Sequence, residues 1–193
     1  PASRICDFYA IGDLTNNYSD GLLKIDVALK SKVDVPQKAN VTASLFDGDA
    51  KIFTESKEVN LSEDKGSVSF SGEIENVKKW SAERPDLYSL VISLADDKGE
   101  ILENVGAKIG FRKVEIVNSN LLINGKYIYL KGVNIHEHND ITGHVIDEAT
   151  IMKDIKTIKS NNINAVRTSH YPQQELFYDM CDKYGLYVID EAN

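Results

Sequence analysis

Residues 164–190, NAVRTSHYPQQELFYDMCDKYGLYVID, hold two short apolar runs on either side of one amphipathic segment. Asn164-Ala165-Val166 opens a strand, and Leu186 to Ile189 forms another that is apolar on both faces. Between them Leu176, Phe177, Met180, Cys181 and Tyr184 share one side at helical spacing. Pro172 is predicted to sit in the first turn of that helix, and Gly185 is its natural stop. Upstream, DEATIMKDIKTIKSN (147–161) repeats the pattern: Ile151, Met152, Ile155 and Ile158 share a face, and Asp147 is the predicted N-cap. Glu148 stands at the positive end, and Lys153, Lys156 and Lys159 gather toward the negative one. Earlier still, LLINGKYIYLKGVN (121–134) places two apolar runs around Asn124-Gly125, the strongest hairpin dipeptide. Its second run, YIYLKGVN, reads as a strand. The order strand, helix, strand, helix, strand means a parallel sheet covered by helices.

Residues 1 to about 110 have a different rhythm. LLKIDVALK (22–30), SVSFSGEI (67–74) and LYSLVISLA (87–95) alternate apolar with polar positions, and Asp/Gly turn signals recur at 47–49, 64–66 and 96–99. With RICDFYAI, VTASLF, KIF, EVNL and ILENVGAKIGF the count reaches seven or eight short strands and no helix. That spacing predicts an antiparallel two-sheet sandwich of immunoglobulin type, without the paired cysteines of antibody domains. The expected organisation is therefore a sandwich over 1–110 and the opening βαβαβ of an α/β domain over 111–193. Trp80 is expected to be a packing residue, with carbohydrate stacking as the alternative.

Composition narrows the function. Apolar residues make up 42% and charged residues 27% of the 193, enough for a real core, and the formal net charge is −8. No Lys/Arg cluster offers a face to a polyanion, so nucleic acid is not an expected partner. No apolar run approaches the ~20 residues of a membrane span. Cys6 and Cys181 lack metal-like spacing and are expected to be free thiols. The chain starts at Pro1 and stops just after a hydrophobic strand, which reads as a fragment of a longer protein. Its compartment stays open. Such a fragment would leave strand edges uncovered, so self-association through them is expected.

In parallel α/β architectures, closed barrel or open sheet, ligands bind at the C-terminal ends of the strands. Here those ends carry Asn134-Ile135-His136-Glu137-His138-Asn139, Arg167-Thr168-Ser169-His170-Tyr171 and Asp190-Glu191-Ala192-Asn193. Three polar ends in register point to a site. His136, Glu137 and His138 could suggest a metal, but alternate positions on an extended segment face apart. Glu137 and Glu191 could be a carboxylate pair of the kind a retaining glycosidase sets ~5 Å apart. Ser169-His170 lacks the G-x-S-x-G elbow of a serine hydrolase.

LKGVNIHEHND, NINAVRTSHYP and CDKYGLYVIDEAN, in this order and spacing, resemble glycoside hydrolase family 2, and within it the bacterial β-galactosidases. GFRKVEI…LLINGK and WSAERPDLY resemble its sandwich-to-barrel region, so the strong match runs from about 75 to 193. The resemblance implies an immunoglobulin-like sandwich followed by the first three strands of a TIM (β/α)8 barrel, in a parent that cleaves terminal β-galactosides with retention. It implies that His136 and His170 bond galactosyl hydroxyls and that Arg167 orients the nucleophilic carboxylate. Asn134, Glu137, Asp190, Glu191 and Asn193 become supporting candidates behind that contact layer. Both catalytic glutamates are implied to lie outside this stretch, leaving the 193 residues inactive. No metal ligand is implied within it, while magnesium and sodium are implied for the parent. Ile135 stands where many β-galactosidases carry Arg, removing one polar contact. Family 2 also holds β-glucuronidases and β-mannosidases, but Asp190-Glu191-Ala192-Asn193 favours the galactosidases over the Asp-Glu-Thr of glucuronidases. A stand-alone sandwich module that binds sugar or protein is the remaining alternative, and it would show affinity from 1–110 alone.

Overall fold

The two-residue alternation becomes seven strands: β1 (Ser3–Thr15), β2 (Asp20–Ser31), β3 (Gln37–Asp47), β4 (Ala50–Leu61), β5 (Lys65–Ile74), β6 (Tyr88–Ala95) and β7 (Ile101–Ile109). In this computed structural model residues 3–31, 37–61 and 65–192 are described. They fall into two units, Pro1–Lys78 with Leu87–Lys113 and Lys79–Asp86 with Val114–Asn193.

In the first unit, antiparallel sheets β1-β2-β5 and β4-β3-β6-β7 enclose one core. The alternation predicted for β2 is what it buries: Leu23, Ile25, Val27 and Leu29 point inward with Val41, Ala43 and Leu45 of β3 and Leu90, Ile92 and Leu94 of β6. KIF and EVNL, expected as separate strands, are one continuous β4. Polar Thr54 and Ser56 join them because their hydroxyls pair across the sheet with Ser44 at 3.0 Å and Thr42 at 2.7 Å. The fourth strand thus stays beside the third, whereas immunoglobulin constant domains place it in the opposite sheet. Where β1 nears the end of β7, Gly12 leaves no room for a side chain. A Cβ there would lie 2.7 Å from the Gly110 carbonyl oxygen, and the Arg112 amide donates to the Gly12 carbonyl at 3.1 Å.

The second unit begins with a meander of β8 (Val114–Val117), β9 (Asn120–Ile123) and β10 (Lys126–Tyr127). Both its turns are two-residue loops of positive φ, Asn118-Ser119 and Asn124-Gly125, the conformation whose twist matches a hairpin. Then follow β11 (Gly132–Ile135), α1 (Glu148–Ser160), β12 (Ala165–Thr168), α2 (Glu175–Tyr184) and β13 (Tyr187–Ile189). The last three strands form a parallel sheet ordered β11-β12-β13, with Asn134 opposite Arg167 and Arg167 opposite Ile189.

Two boundaries differ from expectation. YIYLKGVN is not one strand: Lys126–Tyr127 pair with β9, and only Gly132–Ile135 joins the parallel sheet. Asn164 clamps the span between them, accepting from the Lys131 amide at 2.8 Å and donating to the Tyr129 carbonyl at 2.9 Å. Pro172 lies outside α2: the helix starts only after its N-cap Gln174, and the Gln173 amide before it donates to the Tyr178 hydroxyl at 2.9 Å.

The caps follow the sequence. Asp147 accepts from the Thr150 amide at 2.9 Å to start α1. Gly185 ends α2 at φ 77°, donating to the Cys181 carbonyl. Ile151, Ile155 and Ile158 of α1 and Phe177, Met180 and Cys181 of α2 pack on Val166 and Leu186. Trp80, fully buried, donates from Nε1 to the Asp182 carbonyl at 2.8 Å and meets the ring of Tyr187 edge-on. That burial leaves no face for a sugar and removes the stacking alternative. Among the described residues no helix is long and apolar enough to cross a membrane.

Burial pushes the Cys181 thiol up to about 12 from 9.0, whereas Cys6 is exposed. At pH 8 the folded chain should therefore alkylate at Cys6 and stay unmodified at Cys181, as peptide mass mapping would read. The folded state holds the Cys181 proton more tightly than the unfolded one. Its contribution to stability is therefore complete below about pH 9 and declines as pH climbs toward 12.

Candidate active site

The parallel register brings three strand ends to one edge, and a polar cluster forms there. Arg167, near the end of the central strand β12, directs one guanidinium nitrogen to Glu191 Oε2 at 2.6 Å and the other to Asn134 Oδ1 at 3.3 Å. One side chain from β12 thus spans to both neighbouring strands. Charge assistance and the planar fork make this a firmer link than a lysine could give. The same Glu191 oxygen lies 3.0 Å from His170 Nδ1. That nitrogen is also 3.3 Å from Arg167 and can serve only one neighbour at a time: an Nδ1–H donates to the carboxylate, a bare lone pair accepts from the guanidinium.

Glu191 is held by its backbone as well. Its amide donates to Thr168 Oγ1 at 3.0 Å, and Thr168 donates to Asp190 Oδ1 at 2.9 Å. Tyr178 of α2 donates to the same oxygen at 2.6 Å. Burial, reinforced by that bond to Asp190, raises the Tyr178 phenol above its ordinary range, so it stays a donor. Thr168 is wholly buried, and this chain of bonds ties the segment after β13 to β12. Ser169 is spent on the β11 end: its hydroxyl and amide both donate to the Ile135 carbonyl, at 3.1 and 3.0 Å. The Ser169–His170 peptide is cis.

Beside the cluster stand the remaining histidines, so all four in the chain lie along this rim. His136 meets His170 edge-on at 5.7 Å and Tyr171 at 6.4 Å between ring centres. Tyr171 meets His144 at 6.3 Å, and His144 meets His138 at 5.8 Å. Beneath the β11 end, the cavity bounded by Ile135, Glu137, Asp154, Gln173 and Phe177 measures about 10 Å³. That is room for no more than a water, so a ligand approaches from the open rim. Burial raises the Asp154 carboxyl beside that cavity above its ordinary range, with Lys153 opposing.

Of the residues singled out from the sequence, Asn134, Arg167, His170 and Glu191 are in direct contact, and His136 packs on His170. Asp190 reaches them through Thr168. Glu137 faces the small cavity, and its carbonyl is 2.6 Å from His144 Nδ1. Asn193 lies outside the described residues. Among the described residues no three His, Cys, Asp or Glu side chains converge to hold a metal. His144 escaped the sequence reading because 136–147 has no periodicity. Asn139 was the available signal: its side chain accepts from the amides of Ile141 and Thr142 at 2.9 and 3.1 Å and folds the loop that carries His144.

The model of "Glycosyl hydrolases family 2" matches residues 3–112, and that of "Glycosyl hydrolases family 2, TIM barrel domain" matches 114–193. A β-galactosidase of Pseudoalteromonas haloplanktis is 42% identical over the whole chain, and one of Alteromonas mediterranea 40%. The chain spans 19% of the length of each. The solved structure of a β-D-glucuronidase from Dictyoglomus thermophilum is 32% identical at a TM-score of 0.82, covering all of this chain and 30% of that one. With both halves matched in order, the chain belongs to glycosyl hydrolase family 2 and carries its sandwich and the opening strands of its TIM barrel.

Proposed function

We propose that this chain supplies part of the sugar-binding face of a retaining β-galactosidase. The observation that carries this reading is the identity of about 40% along the entire chain to proteins named β-galactosidase. The cluster on the strand ends suits the task. With its Nδ1–H given to Glu191, His170 presents Nε2 as an acceptor for a galactosyl hydroxyl, and His136 stands beside it. Such bonds strengthen as the ring flattens toward an oxocarbenium ion, which is where they accelerate the reaction. Arg167 brings positive charge to the rim and favours the ionised form of a nearby nucleophilic carboxylate. Glu191 acts as the anchor of Arg167 and His170, not as the nucleophile, since one oxygen already serves both. The general acid and the nucleophile are assigned to residues other than these 193. Magnesium and sodium are assigned to the longer protein, and no step here passes through them.

The natural protein that contains this chain should hydrolyse an aryl β-galactoside with kcat/KM at least about a hundredfold above that for the matching β-glucuronide. The reverse preference would favour the second reading, a β-glucuronidase, which the 32% identity to such a structure supports. The 193 residues alone should give no turnover above blank. Specific hydrolysis by them would overturn the assignment of both catalytic carboxylates elsewhere.

A further inference from the structure

We propose that His144 and Tyr171 form a subsite for the leaving-group sugar, adjoining the galactose site; this rests on the β-galactosidase reading. The rings run in sequence from His170 through His136 to Tyr171 and His144, away from the Arg167–Glu191 cluster. His144 has a defined tautomer. A carbonyl oxygen can only accept, so Nδ1 carries the proton it gives to Glu137 at 2.6 Å. In the neutral ring Nε2 is then a lone-pair acceptor, exposed and with no hydrogen-bond partner among the described residues. The Tyr171 hydroxyl lies 3.5 Å from that same protonated Nδ1 and cannot donate to it, so the phenol keeps its own hydrogen to give.

Side by side, the pair offers one acceptor and one donor. This suits sugar hydroxyls, each of which can donate to Nε2 or accept from the phenol. The loop that carries the display is closed by its own hydrogen bonds. Asn139 and Gly143 exchange two backbone hydrogen bonds at 2.8 and 2.9 Å, closing the loop at its base. Thr142 Oγ1 donates to the Val145 carbonyl at 2.6 Å and braces the far side. Each such bond lowers the ordering cost of binding.

The test uses the natural full-length protein and two substrates, a β-galactosyl disaccharide and methyl β-galactoside. His144→Asn keeps a donor for the Glu137 carbonyl and removes Nε2; Tyr171→Phe keeps the ring and removes the hydroxyl. Each should lower the ratio of kcat/KM, disaccharide over methyl galactoside, by about five- to tenfold, as expected for one hydrogen bond made to substrate. An unchanged ratio, whether both activities hold or fall together, would overturn the subsite and leave a structural role. A wild-type protein inactive on both substrates would instead overturn the galactosidase reading itself.

Discussion

Arg167→Ala in the natural enzyme is expected to lower kcat/KM on a β-galactoside by about a thousandfold, the scale seen when one preorganised charge is removed from an active site. Three losses coincide. The rim loses its positive charge, Glu191 loses a partner at 2.6 Å, and Asn134 loses its 3.3 Å contact with the guanidinium. The freed carboxylate then draws on His170 Nδ1, its other side-chain partner among the described residues, and adds an unneutralised negative charge near the attacking group. That charge makes the attacking carboxylate harder to ionise. Arg167→Lys should recover only part of the activity, because an ammonium cannot hold Glu191 and Asn134 with a planar fork. Steady-state kinetics beside a thermal melt would separate lost chemistry from lost fold. A loss under tenfold with the fold intact would remove Arg167 from the mechanism.

Trp80→Ala is expected to destabilise the second unit by about 3–5 kcal/mol, the usual cost of emptying a large buried aromatic site. The indole is 1% exposed, donates to the Asp182 carbonyl and packs on Tyr187, so its removal leaves a cavity and takes away that donor. Urea unfolding followed by far-UV circular dichroism reads this directly, since the variant retains no tryptophan to report by fluorescence. A shift below about 1 kcal/mol would mean that the site collapses around the missing ring.

What could be read from the sequence was whatever periodicity or a cap determines. The apolar faces of α1 and α2, the Asp147 cap, the Gly185 stop and the polar ends of three strands are all local signals, and the fold uses each of them. The split of YIYLKGVN was not legible, because Asn164, more than thirty residues later, decides where the strand begins. Nor was the link Thr168–Asp190–Tyr178, whose members come from three elements and meet only once the sheet is parallel and in register. The Pro172 boundary was not legible either: the Phe177 amide bonds back to the Gln174 carbonyl at 2.9 Å, so the first turn opens at Gln174 and Pro172 precedes it.

The join of Gly12 to Gly110 and Arg112 sets a timetable for synthesis. A ribosome adding 5–20 residues per second takes about 5–20 s to travel the hundred or so residues separating those partners. Until then β1 and β2 can zip together as a hairpin, but the sandwich lacks the segment that closes it. Contacts so distant along the chain also slow the final closure relative to helical domains. For those seconds the seam between β1 and the end of β7 stays open, and the apolar row of β2 is covered only as β3 and β6 are added. Chaperones that grip extended hydrophobic segments would find their target there, before any of the barrel has been made.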